Sequence, residues 1–212
     1  MCAINPRVEP RGRPGHYESV TRTMDDSTRA SDPGGIRLSM AKLRRVDPGL
    51  FTMSGRVARV LSRDYFVVHV REHLQYGDSR AAVVVRTAPL WIAAYTDEFD
   101  SSVVLELPST AGDGDRWSIG DRLLTINTYA AQGPHAADLV FGPRHIARWY
   151  NMAPHIADLL TDDIAAVNAR KHRIAEAEWA RAEVSAEDYL RHTGGRVRDG
   201  RAIAGVAFRD LS

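Results

Sequence analysis

Short runs of β-branched and aromatic residues, each bounded by turn-forming residues, fill the middle of the chain and predict β-strands. Residues 81–87 are apolar on both faces, as expected of a central strand that is covered on both sides. No helix-length pattern separates these runs, so they predict an antiparallel sheet that closes into a small barrel or packs as a sandwich. The seven predicted strands are 55–61, 65–70, 81–87, 91–96, 102–107, 123–129 and 137–141.

The pattern becomes helical after Pro143. Apolar residues recur at three- and four-residue spacing from Ile156 to Ile174, and Pro154 suits the first turn of a helix. A second, shorter helix is predicted to begin at Ser185 and to end at the glycine pair 194–195. The fold class predicted is therefore α+β, a mostly antiparallel β-barrel or sandwich followed by a C-terminal helical segment.

Charge and proline content set the N-terminal part of the chain apart. Residues 1–46 carry nine basic and five acidic side chains, contain several prolines and show no apolar periodicity, which predicts a flexible basic arm. The predicted β-rich domain covers residues 47–142, and a helical segment that packs on it covers 143–193. Residues 194–212 have weak apolar content and are expected to form a loosely held tail.

The overall composition is that of an ordinary globular protein, with 44% hydrophobic residues, 26% charged residues and a net charge of +1. The unbroken apolar stretches 81–85 and 88–95 are much shorter than the roughly 20 residues of a membrane-spanning helix, so no membrane crossing is expected. The N-terminus has no apolar signal region, which places the protein in the cytoplasm as an expectation.

One motif resembles a known metal site in its spacing. Residues 69–73 read His-Val-Arg-Glu-His, the H-x-x-E-H spacing of inverted zinc peptidases. Two histidines four residues apart bind one zinc ion when a helix places both rings on one face, whereas a strand separates them by about 13 Å. Because Tyr65-Phe66-Val67-Val68 favours a strand, His69 and His73 are predicted to be ordinary residues at a strand end rather than metal ligands.

Other signatures of cofactor or catalytic sites are weak. Cys2 is the single cysteine, which excludes an internal disulfide and a multi-thiolate zinc site. The residues after Asp113 do not fit a calcium loop, and neither a nucleophile elbow nor a phosphate-binding loop is present. The acidic group Asp97, Glu98 and Asp100 is most simply a solvated turn. We therefore predict no metal, no cofactor and no catalytic residue.

Polar residues stand at positions where the pattern calls for apolar ones, or at strand ends. If they converge, they form a pocket for an anionic ligand, because arginine makes bidentate contacts and a helix N-terminus attracts negative charge. The alternative, which the pattern favours, is that the arginines among them pair with acids and tie the helix to the sheet. These acids are Asp97, Asp100 and Asp138, and the candidate ligand-binding residues are Arg86, Tyr95, Asn127, Arg144 and His155.

These features favour a non-catalytic binding or assembly module that contacts protein. A protein partner or a second copy is predicted to bind through the C-terminal helices, where Trp179, Val184, Tyr189 and Leu190 continue past the apolar stripe. The other interpretation of these residues is that the helices fold back over the sheet.

A nucleic-acid-binding small barrel is the second hypothesis, and an enzyme of unidentified chemistry is the third. The second hypothesis uses Tyr129 and Trp91 as exposed rings for stacking, but the near-zero net charge of the folded part counts against it. The arginines that it assigns to phosphate contacts are Arg7, Arg11 and Arg13 in the arm, and Arg191, Arg196, Arg198 and Arg201 near the C-terminus.

Overall fold

The computed structural model describes residue 30 and residues 32–51, 58–111, 117–146 and 148–202, with 58–63 described for the backbone alone. Helices and strands are mixed, so the chain is an α+β protein. Single turns of 3-10 helix at Pro48–Phe51 and Ala157–Leu159 accompany the main elements. The helices are α1 (Met40–Val46), α2 (Ala58–Tyr76), α3 (Ile164–Lys171) and α4 (Glu176–His192), and the strands are β1 (Asp78–Thr87), β2 (Leu90–Thr96), β3 (Ser101–Glu106), β4 (Arg122–Ala130), β5 (Asn151–Ile156) and β6 (Arg198–Asp199).

The six strands form one curled sheet in the order β5-β4-β1-β2-β3-β6. Neighbouring strands are antiparallel, except that β3 and β6 run parallel. Four of the predicted strands, 81–87, 91–96, 102–107 and 123–129, are confirmed as β1 to β4. Alternation and turn signals were sufficient to predict these four strands, because each strand pairs with another of the four in the sheet.

The prediction of strands at 55–61 and 65–70 is wrong where the structure describes these residues. Residues 58–76 form the helix α2, and residues 55–57 lie outside the described part of the chain. Val67, Val70 and Leu74 are buried at three- and four-residue spacing, which is the spacing of one helix face. Packing of this face against the sheet outweighs the local preference of its β-branched and aromatic residues for a strand.

Further elements differ from the predictions. The helix predicted to begin at Ser185 is α4, which begins at Glu176. Residues 137–141 form a turn and irregular backbone instead of a strand. Residues 151–156 form β5, although Pro154 had suggested the start of a helix. Proline is tolerated there because β5 stands at the end of the sheet, where its missing N–H does not interrupt a second ladder. The helical segment predicted over 143–193 therefore begins with a strand.

The described part of the predicted basic arm belongs to the folded core. Ile36, Leu43 and Val46 are buried, and Ser39 caps α1 by accepting from the backbone N–H of Lys42. The Lys42 ammonium donates to the backbone carbonyl of Asp158 at 3.0 Å, which links α1 to the segment that follows β5. Residues 32–46 therefore belong to the folded part of the chain and not to a flexible arm. The arm residues 1–29 lie outside the described part of the chain.

α4 lies on the sheet, with contacts to β1, β2 and β3. Trp179 and Tyr189 are buried in this contact, so the interpretation in which the helices fold back over the sheet is correct for both rings. Val184, by contrast, is 66% exposed. Within the described residues, no helix combines the length and the apolar character needed to cross a bilayer.

Arg198 joins the two ends of the curled sheet. β6 and β5 stand at opposite ends of the strand order, yet the Arg198 guanidinium donates to the Met152 carbonyl at 2.7 Å and to the Asn151 side chain at 3.0 Å, both on β5. The same guanidinium forms an ion pair with Asp138 at 2.6 Å. Residues 194–199 are therefore held in place, which corrects the prediction that the chain is loosely held from 194 onwards.

Replacing Arg198 with methionine is expected to lower the free energy of unfolding by about 2 kcal/mol, because Asp138 and two acceptors on β5 lose a largely buried donor. Urea denaturation measures the loss. Arg201→Met is the matched control, since Arg201 and its partner Asp199 are about half exposed and such pairs contribute about 0–1 kcal/mol. Equal losses in the two variants would contradict the role of Arg198 in joining β5 and β6.

Candidate functional site

The curled sheet opens between β1 and β2 at one end. The β1–β2 register runs from Thr87 opposite Leu90 to Ala82 opposite Ala94, whereas the β1–β4 register continues to Asp78. At this end, where β1 and β2 are not paired, side chains form hydrogen bonds with the backbone groups of both strands.

Two side chains supply those hydrogen bonds. The Ala81 N–H donates to the Glu178 carboxylate of α4 at 2.8 Å, and the Asn127 side-chain amide donates to the Tyr95 carbonyl at 2.8 Å. At the opened end, where β1 and β2 are not paired with each other, these two backbone groups thus still have partners, as buried polar groups require.

A cluster of charged groups occupies this opening. The Arg80 guanidinium lies 2.7 Å from Asp78, 2.8 Å from Asp97 and 3.8 Å from Glu178. Asp78 is 3% exposed, and burial raises the pKa of its carboxyl to about 6, while burial also raises the pKa of Glu178. One guanidinium therefore faces three carboxylates, and proton uptake by Asp78 near neutral pH relieves part of the excess negative charge.

A second ionic group anchors the turn between β2 and β3. The Tyr95 hydroxyl donates to Asp100 at 2.9 Å, and Arg144 forms an ion pair with the same carboxylate. Burial acts to raise the pKa of Asp100, but the hydrogen bonds from Arg144 and Tyr95 outweigh it and hold the pKa below its usual value. Residues 97–100 do form the predicted turn, although Asp97 and Asp100 are held in ion pairs.

Gly142 brings the Arg144 segment into contact with this turn. A Cβ atom at residue 142 would lie 2.2 Å from the backbone oxygen of Asp100, so only glycine permits this approach. The Gly142 N–H donates to the Phe99 carbonyl at 2.9 Å, and the Ile146 N–H donates to the Glu98 carbonyl at 2.9 Å. The segment after residue 141 is thus fixed to the β2–β3 turn by its backbone.

Three of the five candidate ligand-binding residues meet in this region. Asn127 contacts the backbone of Tyr95, and Tyr95 shares the Asp100 carboxylate with Arg144. Arg144 thus makes the acidic pairing that was the alternative to a ligand pocket. Arg86 lies elsewhere, with its guanidinium 4.5 Å from the centre of the Trp91 ring.

His155 also lies apart from that region, on β5, with its ring 5.1 Å from that of His73. The five candidate residues therefore do not line one pocket.

The sequence pattern did not indicate Asp78, Arg80 and Glu178 as site residues. Asp78 and Arg80 stand two residues apart in β1, so a strand extended back to Gly77 would have placed both on the same face. The predicted strand began at residue 81 and left them out. Nothing local marked Glu178, because its role depends on the docking of α4 over β1.

The H-x-x-E-H motif lies on the helix α2, where its two histidines share one side of the helix. The prediction that His69 and His73 lie on a strand is wrong, and both side chains are buried in the core instead of pointing into a cleft. The Tyr65 ring meets His69 edge-on, and His73 Nδ1 lies 3.2 Å from the Thr128 hydroxyl. Among the described residues, no group of three or more histidine, cysteine, aspartate or glutamate side chains could hold a metal ion.

His155 faces a small cavity between β5 and the segment after β6. The cavity has a volume of about 10 Å³ for the centre of a water-sized molecule, which is room for about one water, and its lining includes Gly200 and Ala202. Burial lowers the pKa of His155 to about 3, and the neighbouring His73 lowers it further in the same direction. The imidazole is therefore neutral in the folded protein near pH 7.

A solvent-exposed face of aromatic, histidine and arginine side chains lies on the connection between β4 and β5. The His135 ring stacks on Tyr150 at 4.8 Å and meets Phe141 at 5.3 Å, and Phe141 in turn contacts His145. Phe141 is 40% exposed and Ile146 58% exposed. We call this surface the ring face, defined by His135, Phe141, Arg144, His145, Ile146, Arg148 and Tyr150.

The ring face rests on buried rings as well as on the backbone contacts described above. Phe141 packs edge-on against Phe99, which meets the buried Tyr129 in the same way. Tyr129 is 1% exposed and stacks on Trp149, so it is not the exposed stacking residue that the nucleic-acid hypothesis had assumed. Arg148 lies over the Trp149 ring at 4.7 Å.

Known proteins give no assignment for this arrangement. The chain matches no protein-family model, no curated protein and no solved structure. The chemistry of the ring face and of the charged cluster is therefore the basis on which a function is argued.

Proposed function

We propose that this chain is a non-catalytic binding module that contacts another protein through the ring face. The observation that carries the proposal is the exposure of Phe141 and Ile146 on a segment whose backbone is bonded to the β2–β3 turn. Aromatic and aliphatic side chains next to arginine are typical of the centres of protein interfaces. A pre-ordered surface of this kind loses little conformational freedom when a partner binds.

The buried position of the titratable groups supports binding over catalysis. Asp78, Tyr129 and His155 have raised or lowered pKa values because they are buried, and each is at most 3% exposed. A catalytic acid or base must come within hydrogen-bond reach of its substrate, which these positions prevent in the folded state. The ion pair of Asp78 with Arg80 and the hydrogen bond between Tyr129 and Thr96 fit a structural role for these two buried groups.

The ring face replaces the rings of the C-terminal helices as the proposed contact surface. Trp179 and Tyr189 of α4 are covered by the sheet and are unavailable to a partner. The connection between β4 and β5 instead presents rings that are open to solvent, in a segment for which the sequence predicted an edge strand at 137–141 and the helical segment from residue 143.

Nucleic acid is the alternative partner, because exposed rings beside Arg144 and Arg148 also suit stacking on bases. Three of the four arginines near the C-terminus that this hypothesis assigned to phosphate contacts are paired with acids. Arg191 pairs with Asp188 at 2.7 Å, Arg198 pairs with Asp138, and Arg201 pairs with Asp199. With these charges matched by acids, the described part of the chain lacks the excess positive charge that phosphate binding favours.

Site-specific photo-crosslinking tests the proposal. With benzoylphenylalanine in place of Phe141, irradiation of cells that produce the protein is expected to yield discrete adducts that protease removes and nuclease leaves intact. The matched control carries the same amino acid in place of Tyr65, which is 50% exposed on α2 and is expected to yield none of these adducts. Nuclease-sensitive adducts alone would favour nucleic acid, and equal adducts at both positions would overturn the proposal.

A further inference from the structure

Residues 200–202, which we call the strap, follow β6 and line the same small cavity as His155. The Gly200 N–H donates to the Glu106 carbonyl at 2.8 Å, and Ala202 is 4% exposed. Gly200, Ala202 and His155 all lie on the wall of the cavity. The strap is therefore part of the wall that shields His155 from solvent.

The His155 ring is buried in surroundings that suit its neutral form. His155 is 3% exposed, and within the described part of the chain neither of its ring nitrogens makes a hydrogen bond of normal geometry, although backbone groups of Pro154 and Ala202 lie near the ring. The side chains that complete the cavity wall are apolar, namely those of Val46, Leu107, Ile156, Leu159 and Leu160. A charged imidazolium at this position would be separated from the water that stabilises it.

The charged groups on the neighbouring elements do not supply a counter-charge to His155. From α2, the His73 ring faces it at 5.1 Å and acts to lower its pKa. At the end of α1, the Asp47 carboxylate acts on Arg201 of the strap. The other acidic groups nearby face basic side chains, in the pairs Asp158 with Lys171, Asp199 with Arg201, Asp138 with Arg198 and Glu72 with His69. A proton on His155 therefore gains stability only if the ring reaches water.

The strap is attached more weakly than β5, which forms another part of the cavity wall. All six residues of β5 pair with β4, whereas β6 has two residues and ends before the strap. Arg198, at the start of β6, is fixed by its ion pair with Asp138, so β6 can stay in place when the strap moves. The strap can therefore open with the loss of far fewer backbone hydrogen bonds than β5.

We infer that the strap is an acid-sensitive latch, which releases from the cavity when His155 takes up a proton and leaves β6 and the rest of the sheet folded. In the open form the charged ring reaches water, which it cannot do beneath the strap. In the closed form the neutral ring fits the apolar wall, so the strap stays packed on the cavity. This latch goes beyond the proposed function, because it requires no partner of the ring face.

Proton linkage gives the size of the effect. In the closed form burial lowers the pKa of His155 to about 3, whereas in the open form the ring regains its ordinary value of 6.5. Between these two values the open form binds a proton that the closed form does not. The ratio of open to closed strap therefore rises up to about tenfold for each unit by which the pH falls.

Native-state hydrogen exchange of the full chain, measured by NMR at the Gly200 amide, tests the latch. The protection factor compares exchange in the protein with that of a free amide at the same pH, and it is expected to fall about 25-fold from pH 7 to pH 5. Low concentrations of urea are expected to leave it unchanged, because strap opening exposes little surface. The same urea is expected to lower the protection of buried strand amides such as that of Ala93 in β2.

His155→Gln removes the titrating ring and keeps an uncharged hydrogen-bonding side chain, so the Gly200 protection factor is expected to be equal at pH 7 and pH 5. His172→Gln, the same change at an exposed position after α3, is the matched control and is expected to keep the fall seen in the unaltered protein.

A Gly200 protection factor that is independent of pH in the unaltered protein would overturn the inference, as would an equal fall in His155→Gln. It would also fail if Gly200 and Ala93 had the same protection and the same response to urea, since the strap would then open only with the whole fold. The pH and urea series on the unaltered protein decide the matter even if His155→Gln does not fold.

Discussion

Replacing His155 with leucine is expected to remove a loss of stability that the unaltered protein undergoes in acid. Burial lowers the pKa of His155 to about 3 from an ordinary value of 6.5. Between these two values the unfolded chain binds a proton that the folded protein does not, so stability falls as the pH decreases from about 6.5 to about 3. One pKa unit corresponds to about 1.4 kcal/mol, which gives a total of about 5 kcal/mol.

Urea denaturation of both proteins at several pH values measures this effect as a difference. At pH 7 the two free energies of unfolding are expected to agree within about 1 kcal/mol, because leucine fills the same apolar surroundings without needing hydrogen bonds. Below pH 6 the variant is expected to gain on the unaltered protein by about 1.4 kcal/mol for each pH unit. Groups that titrate in both proteins and do not contact residue 155 cancel in the difference.

His172→Leu is the matched control for this experiment. His172 is exposed at the end of α3, so the same substitution there tests whether the effect requires the buried position of His155. Parallel pH profiles for the unaltered protein and His155→Leu would show that His155 is hydrated or charged in the folded state.

The second large effect is expected from Arg80→Met, with a loss of about 3 kcal/mol at pH 8. The substitution removes the guanidinium that lies between Asp78, Asp97 and Glu178, and it leaves the 3%-exposed Asp78 carboxylate without this counter-charge. The loss is expected to be smaller at pH 5, because Asp78, with a pKa of about 6, then carries a proton and needs the guanidinium less.

Arg191→Met controls for the loss of an arginine as such. Arg191 pairs with Asp188 on the surface of α4, and the two side chains are 73% and 50% exposed, so its removal is expected to change stability by about 0.5 kcal/mol or less. Urea denaturation at pH 5 and pH 8 compares both variants with the unaltered protein. If Arg80→Met lowered the free energy of unfolding by the same amount at both pH values, the conclusion that Asp78 takes up a proton between pH 8 and pH 5 would be contradicted.

The charged cluster and the ring face are connected through the turn between β2 and β3. Asp97 on this turn reaches the cluster through Arg80, while Phe99 and Asp100 contact the segment that carries Phe141 and Arg144. Loss of the Arg80 contacts is therefore expected to loosen the support of the ring face. The stability of the opened end of the sheet and the order of the proposed binding surface depend on the same turn.

The H-x-x-E-H motif lies on a helix and not on the predicted strand. A strand would separate His69 from His73, but the segment is helical. The apolar residues Val67, Val70 and Leu74 have helical spacing, and the two buried histidines continue that stripe. Counting buried histidines as apolar would have revealed the 3.6-residue period, which their polar classification hid.

The amino-acid sequence by itself determined the α+β class and the four strands β1 to β4, because alternation, β-branched residues and turn signals act between near neighbours in the chain. Only the tertiary structure decided that residues 58–76 form a helix, that Pro154 lies in a strand, and that the sheet opens around Arg80. These features rest on partners that are far apart in sequence, such as Ala81 with Glu178, 97 residues away, and Arg198 with Asp138, 60 residues away. Local patterns carry no information about such pairs, since their energy arises only when folding has brought both members into the same buried space.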